Sequence, residues 1–299
     1  MQLGIGHSDD GDFERAARGA VERALVGVDD PSFALVFTTD QYDHDALAAA
    51  ITRALGRIPW AGCCSAGVFA SNVFLRQGVV VGVLGSRTVR VGVGLAGPVS
   101  ADGRAAGELA VERALAELAS PHPPGHRALI VLPDALTGDA VSVVRGAVAE
   151  AGTGVTWSGG GAGDNLHFVR TAQYARGRAH RDHVVVVAIE TDAPLGGGIR
   201  HGWRPYGPPT LVTRVCGATA IELDFEPAFD VYQRTAAERG DHVTRETFAE
   251  CSTTHPLGIP QADGEHVIRD PLAVLPDGSL RCVAEVPDGS MVRMMRGDR

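Results

Sequence analysis

The chain has 299 residues, of which 44% are hydrophobic and 21% charged, a composition typical of a globular protein with a buried core. Its formal net charge is −9, so we expect no nucleic-acid partner, because surfaces that bind nucleic acid are usually basic. All 27 basic residues are arginine. The lack of lysine excludes enzymes that need a lysine Schiff base or a Walker A lysine.

The cysteines and the N-terminal sequence indicate a cytoplasmic location. The count of five is odd, and no two cysteines have the C-x-x-C spacing of a redox or zinc motif. The first residues, MQLGIGHSDDGDF, contain neither a basic segment nor a long apolar run. We therefore expect reduced thiols, no signal peptide and no membrane span.

Strand and helix patterns alternate along the first part of the chain, where short β-rich runs are separated by amphipathic segments. In order, the patterns predict a strand at 2–7, a helix at 12–25, a strand at 32–39, a helix at 44–55, a strand running into a turn at 59–67 and a strand at 79–84.

The same series of patterns then starts again. The second series has strands or helices at 90–95, 103–118, 126–134, 138–152 and 184–189, with the turn sequence VTWSGGGAGDN before the last strand. Two details repeat as well: Glu-Arg-Ala-Leu lies in the first helix of each series, and Gly-x-Gly lies in each first strand. We predict a duplicated β-α-β-α-β-β unit, with halves at about 2–89 and 90–198, in layered sheets flanked by helices. The fold class is then α/β, or α+β.

Residues 199–299 do not repeat this unit and are predicted to form a separate, C-terminal part. The patterns indicate a hairpin around VTRVCGATAIELDF, a helix at 226–240, a second helix in HVTRETFAECS, and then a β-meander interrupted by Pro-Asp-Gly turns. We thus divide the chain into 1–198 and 199–299.

The duplicated unit places a glycine-rich turn at equivalent positions of its two halves, WAGCCSAG and WSGGGAGDN. We expect both turns to face one cleft and to bind a ligand. The candidate residues of the two turns are Cys63, Cys64, Ser65, Gly159, Gly160, Gly161, Asp164 and Asn165. The alternatives are tight packing of small residues in the first turn, and Asp and Asn capping their own backbone in the second.

Two further patterns are rejected. Gly92-x-Gly94-x-x-Gly97 resembles a dinucleotide-binding motif, but Pro98 follows it and no helix begins there. His180 and His183 have a possible metal-ligand spacing, but nothing completes a ligand set, so we predict no metal site.

A series of motifs, in order along most of the chain, resembles the FIST family, a bacterial sensory module with an N-terminal and a C-terminal part. The motifs are WAGCCSAG, GGGAGDN, GIRHGWRPYGPP, LVTRVCGATAIELDFEPAFDVY, HPLGI, VIRDP and VPDGSMVRMM. Family members usually continue past the last strand into another helical stretch, so the resemblance implies that the C-terminal part, 199–299, is short or incomplete.

The resemblance implies a cytoplasmic sensory protein in bacterial signal transduction. It implies a small-molecule ligand, an amino acid or another small carboxylate, and a histidine kinase or another signalling protein as partner. One bacterial branch of the family binds haem and senses nitric oxide. The alternative cofactor is therefore haem b, and the alternative function is nitric oxide sensing.

Five further candidates lie in the motifs that carry the resemblance or near the first strand. His201 and His255 are candidate haem ligands or polar contacts, and His7 is a third candidate haem ligand. Arg269 is a candidate clamp for a ligand carboxylate, with Asp164 or Asp270 for its ammonium group. Structural roles, such as an internal Arg–Asp pair, remain open for each.

We expect a ligand-binding protein and assign no catalytic residue. A third alternative is a cysteine-dependent hydrolase that uses Cys63 or Cys64 as its nucleophile.

Overall fold

A computed structural model describes residues 1–118, 125–137, 139–262 and 264–297 of the protein. The chain divides into two compact units, Met1–Gly198 and Ile199–Arg299, called here the N-terminal unit and the C-terminal unit. Both combine helices with strands, which confirms the predicted mixed α/β class.

The first half of the N-terminal unit follows the predicted order of strands and helices. Its elements are β1 (Gln2–Ser8), α1 (Phe13–Leu25), β2 (Pro31–Thr38), α2 (His44–Leu55), β3 (Trp60–Cys64), β4 (Val68–Ala70), β5 (Val73–Leu75) and β6 (Val79–Gly85). Asp12 and Asp43 begin the two helices because their carboxylates accept N–H groups of the first turn.

The second half repeats this order. Its elements are β7 (Arg90–Ala96), α3 (Gly103–Glu117), β8 (His126–Pro133), α4 (Ala140–Ala151), β9 (Val155–Gly159), β10 (Gln173–Ala175), β11 (Arg178–His180) and β12 (Val184–Thr191). Gly138, the first residue of the predicted second helix of this half, lies outside the described residues.

The two halves have the same sheet topology. The strand order is β1-β6-β2-β3 in the first half and β7-β12-β8-β9 in the second. In each sheet the last two strands are parallel, whereas the other neighbours are antiparallel. The repeat seen in the sequence is thus a repeat of the fold.

The small hairpins break this symmetry. In the first half, β4 and β5 pair only with each other. In the second half, β10 crosses over and pairs antiparallel with β3 of the first half, so that β10 and β11 extend the first sheet to six strands. Neither hairpin was predicted from the sequence, because three-residue strands carry too little pattern.

The sheets form two layers between helices, as predicted. One hydrophobic core contains apolar side chains of α1, α2, both sheets and the β10 hairpin. A second core lies between the other face of the second sheet and the helices α3 and α4.

The repeated Gly-x-Gly of the first strands allows a helix to lie directly on each sheet. A β-carbon added at Gly6 would lie 2.0 Å from the carbonyl oxygen of Ala20 in α1, and one added at Gly94 would lie 1.8 Å from that of Ala110 in α3. These glycines therefore serve helix packing, which gives a physical reason for rejecting the dinucleotide motif.

The C-terminal unit is richer in strands. Its elements are β13 (Arg204–Cys216), β14 (Thr219–Leu223), β15 (Glu226–Pro227), α5 (Ala228–Ala237), α6 (Phe248–Ser252), β16 (Leu257–Pro260), β17 (His266–Arg269), β18 (Pro271–Val274), β19 (Leu280–Cys282) and β20 (Met291–Arg296). The predicted hairpin is β13 with β14, whose strands are antiparallel.

Two details of the prediction for this unit were wrong. The helix predicted from HVTRETFAECS is only the five-residue α6. The last strands do not form a simple meander, since β20 lies between β16 and β13 in the order β17-β16-β20-β13-β14-β19-β18. Long-range pairing of β13 with β20 leaves no local signal in the sequence.

In the part of the chain that the structure describes, no helix combines the length and the apolar character needed to cross a membrane.

We predict that Gly94→Ala lowers the free energy of unfolding by about 1–3 kcal/mol, because the new methyl group must displace α3 from its sheet. Chemical denaturation followed by circular dichroism measures this loss. Gly11→Ala is the control, since a β-carbon there meets nothing within 4 Å. Equal stability of the two variants would contradict the packing role of Gly94.

Candidate functional site

The first glycine turn lies at the carboxyl ends of the parallel strands β2 and β3. Ser65 donates its backbone N–H to the carbonyl of Thr38, 2.8 Å away, and its hydroxyl donates to the carbonyl of Gly67, 2.7 Å away. Carboxyl ends of adjacent parallel strands are a frequent place for ligand sites in α/β folds. Residues of the second half complete this edge.

The thiols of Cys63 and Cys64 lie in the core. Their exposed fractions are 3% and 0%, and the sulfur of Cys64 accepts the backbone N–H of Ala172 at 2.9 Å. Burial raises the pKa of Cys63 far above its ordinary value and that of Cys64 to about 11. Both thiols stay protonated at neutral pH, so this geometry does not favour either as a nucleophile.

The second glycine turn meets the first. After β9 the chain turns back, and Gly163 donates its N–H to the carbonyl of Cys64 at 3.0 Å. Gly160 and Ala162 donate theirs to Val131 and Pro133 of β8. These amides are therefore engaged within the protein and are not free to cradle an anion. Gly159 and Gly161 are exposed beside them.

Asp164 holds the loop that follows this turn. Its carboxylate accepts the backbone N–H groups of Phe168, Val169 and Arg170 at 2.7–3.0 Å. Burial alone would raise the pKa of Asp164, but these three bonds lower it, so the carboxylate stays ionised. Asp164 thus fixes the positions of Phe168–Arg170, which is the capping role that the sequence left open.

Asn165 and His167 both contact Asp40, which is the second residue after the end of β2. The side-chain amide of Asn165 donates to one carboxylate oxygen of Asp40. Nδ1 of His167 lies 2.7 Å from the other oxygen. The two halves of the unit are therefore joined at Asp40.

Three buried polar side chains, those of Thr38, Tyr174 and His44, are linked by hydrogen bonds. The hydroxyl of Tyr174, on β10, is 2.7 Å from Oγ1 of Thr38 and 2.6 Å from Nδ1 of His44. Nε2 of His44 is buried and has no hydrogen-bond partner among the described residues. Burial, followed by the charge of Arg170, lowers the pKa of His44, so the ring is neutral at neutral pH.

Asp40 and Gln41 line two cavities. The smaller, of about 260 Å³, is the His44 cavity, which is lined by Asp40, Gln41, Tyr42, Asp43, His44, Asp45, Arg170, Ala172, Ala179 and Arg181. The larger, of about 770 Å³, is lined by Asp9, Asp40, Gln41, Ala66, Phe74, Leu75, Arg76, Gln77, Asn165, Leu166 and His167. Sequence reasoning identified only Asn165 of these side chains. The missed signal was the polar run DQYDHD, directly after a strand.

The candidate carboxylate clamp Arg269 and its neighbour Asp270 lie in the C-terminal unit. Arg269 donates to the carbonyl oxygens of Glu285 and Ile268, so its guanidinium is already used by the backbone. Asp270 is exposed and accepts the N–H of Val283 through its backbone carbonyl. The described contacts thus give Arg269 a structural role.

The three histidines proposed as haem ligands do not fit a haem. Both ring nitrogens of His201 are engaged, with the carbonyl of His266 and the N–H of Trp203. His7 is half-buried on β1 and lines none of the cavities described here. His255 lines a cavity whose other walls are acids, hydroxyls, Cys251, His242, Arg296 and Gly297, and a porphyrin needs apolar walls. Among the described residues, no three side chains are grouped to hold a metal ion.

Comparison with protein families gives a clear result. The FIST N domain matches residues 32–226 and the FIST C domain matches residues 228–299. The chain belongs to the FIST family. This confirms the resemblance and places both glycine turns, Asp40 and His44 in the FIST N domain.

More distant comparisons add little. No curated protein matches the chain. A cyanuric acid hydrolase from A. caulinodans has 15% identity and a TM-score of 0.35 over 63% of this chain and 70% of its own. Another cyanuric acid hydrolase structure, described as an evolutionary innovation by structural concatenation, has 13% identity and a TM-score of 0.32 over 88% and 82%. Similarities this low carry no conclusion about activity.

We predict that Cys63 and Cys64 resist alkylation in the folded protein at neutral pH, because both thiols are protonated and inaccessible. Mass spectrometry after iodoacetamide treatment should show Cys216, which is exposed, modified first, and both buried cysteines modified only in denaturant. Rapid modification of Cys64 in the folded state would restore it as a candidate nucleophile.

Proposed function

We propose that this FIST protein is a cytoplasmic bacterial sensor that binds a small zwitterion, such as an amino acid, in the His44 cavity. The supporting observation is that the walls of one small cavity carry both charge signs. Arg170 and Arg181 provide two guanidinium groups, and Asp40, Asp43 and Asp45 provide carboxylates.

The arginines suit a carboxylate ligand. Neither guanidinium has an ion pair or hydrogen bond within the described part of the chain. A guanidinium binds a carboxylate through two parallel hydrogen bonds, which gives both affinity and orientation. Since His44 is neutral, the positive charge of the cavity comes from Arg170 and Arg181.

The carboxylates suit the ammonium group of the same ligand. Asp43 accepts the N–H groups of Asp45 and Ala46, and these bonds lower its pKa, so it stays ionised. Asp40 is held in place by Asn165 and His167. Fixed carboxylates on one wall and free guanidinium groups on another select a molecule with both charges over a singly charged one.

His44 offers a contact that the protein itself leaves open. An unsatisfied buried polar atom costs about 1–3 kcal/mol, so a ligand that bonds Nε2 of His44 gains from relieving it. The volume of about 260 Å³ is just below the usual range of ligand cavities, roughly 300–1,000 Å³, which limits the ligand to a small one. The bound state is then read by a signalling partner, such as a histidine kinase.

A thermal-shift screen of amino acids and small carboxylates, followed by calorimetry, tests this proposal. We expect at least one amino acid to stabilise the protein, and Arg170→Gln or Arg181→Gln to weaken its binding about ten-fold or more, equivalent to about 1.4 kcal/mol.

The matched control is Arg176→Gln. Arg176 lies in the same hairpin region, but it pairs with Glu117 and does not line the cavity. Equal loss of affinity in all three variants, or no binding of any zwitterion, would contradict the proposal.

A further inference from the structure

A second group of reactive side chains lies in the C-terminal unit, where no ligand is proposed above. Cys251 is on α6, and His255 follows one helical turn later, which brings Nδ1 of the histidine 3.5 Å from the cysteine sulfur. Nε2 of His255 lies 3.4 Å from Oδ2 of Asp241, close but without the alignment of a hydrogen bond. The imidazole of His255 therefore lies between the thiol of Cys251 and the carboxylate of Asp241.

The neighbours of these groups determine where the protons lie. The hydroxyl of Thr254 donates to the carbonyl of Cys251 at 3.0 Å and also lies 3.0 Å from Nδ1 of His255, which is 3.3 Å from the same carbonyl. The hydroxyl of Tyr206 donates to Asp241, and this bond is the main cause that lowers the pKa of that carboxyl. In the tautomer that carries its proton on Nε2, toward the carboxylate of Asp241, His255 presents Nδ1 as an acceptor for the thiol proton.

The thiol itself rests in its protonated form. Burial, and then the charge of Asp241, raise the pKa of Cys251 above its ordinary value. A reaction at this sulfur therefore needs a base that takes the proton as the new bond forms, and His255 is placed to do so.

The sulfur faces a polar cavity. A volume of about 690 Å³ is lined by Asp241, His242, Thr247, Glu250, Cys251, Thr254, His255, Arg296 and Gly297. No large apolar side chain is among them, so the cavity fits a small hydrophilic molecule. Cys251 is half-buried at this wall, whereas Cys63, Cys64 and Cys282 are buried in cores.

We propose that Cys251, His255 and Asp241 form a site at which the thiol adds reversibly to a small polar aldehyde. In this step the sulfur of Cys251 bonds to the carbonyl carbon. The π bond of the C=O group breaks, and its electron pair stays on the oxygen as an alkoxide. The thiol proton passes to Nδ1 of His255 and from there to the new alkoxide, which gives a neutral hemithioacetal. Nothing is oxidised or reduced, and no other reactant is needed.

An aldehyde is the electrophile that these groups suit best. Addition to a carbonyl keeps the thiol proton in the product, where it ends on the new hydroxyl group, whereas alkylation releases it together with the leaving group. The chain has no lysine, so an aldehyde finds no side-chain amine to form a Schiff base. The cysteine thiols are then the principal side chains for adduct formation, which makes the reaction simple to observe.

Glycolaldehyde labelled with ¹³C at the carbonyl is the probe, and ¹³C NMR of the full chain is the measurement. We expect a hemithioacetal resonance at neutral pH that disappears on dialysis, is lost in Cys251→Ser and persists in Cys216→Ser. Cys216 is the control because it is the exposed cysteine. No adduct in the wild-type protein, or an adduct that survives Cys251→Ser, would overturn the proposal.

The roles of His255 and Asp241 need a kinetic test. We expect His255→Asn and Asp241→Asn to slow adduct formation at Cys251 by about ten-fold or more, since general acid–base catalysis typically contributes about 10²–10⁴-fold. Alkylation of the exposed Cys216 by iodoacetamide in the same variants shows whether folding or sample quality has changed. Unchanged rates at Cys251 in both variants would show that its thiol acts without the histidine and the carboxylate.

Discussion

The pairing of β10 with β3 is the interaction on which the candidate ligand site depends. It places a hairpin from the second half of the N-terminal unit in the sheet of the first half, with Gln173 opposite Cys63. Tyr174 of that hairpin then contacts His44, near the start of α2. The chain segments before and after the hairpin place Arg170 and Arg181 in the walls of the same cavity. Without this exchange between halves, the acids and the arginines would not share a cavity.

The two glycine turns share one structural requirement, a glycine close to the adjacent strand, and differ in the residues that follow it. Gly62 and Gly159 occupy the same place in the two halves, and a β-carbon at either would collide with a carbonyl oxygen of the adjacent parallel strand, that of Val36 or Val131. The cysteines are a local difference: in the first half Cys63 and Cys64 fill a core under the β10 hairpin, whereas the exposed Gly160 and Gly161 of the second half have no such hairpin above them. Packing, not chemistry, accounts for the two thiols.

The local sequence pattern was sufficient to predict the repeat and most helices. Helix α2 has the predicted bounds, and α1 and α3 each differ from their predicted bounds by one residue. The two glycine turns meet in the structure, where Gly163 donates its N–H to the carbonyl of Cys64. The local pattern could not predict that β10 joins β3, because the two strands are far apart in sequence and β10 is only three residues long. The site residues Arg170 and Arg181 were missed for the same reason. His44 lies in the polar run DQYDHD, and the sequence does not show which residues pack against that run to form a cavity.

The central claim is that a small zwitterion binds beside His44, and hydrogen exchange measured with and without a stabilising amino acid tests it most directly. The account predicts slower exchange in segments 40–46 and 164–172, which form the cavity walls and the loop held by Asp164, and unchanged exchange in α5. Protection confined to residues of the C-terminal unit, or uniform protection of both units, would contradict the assignment of the ligand to the His44 cavity.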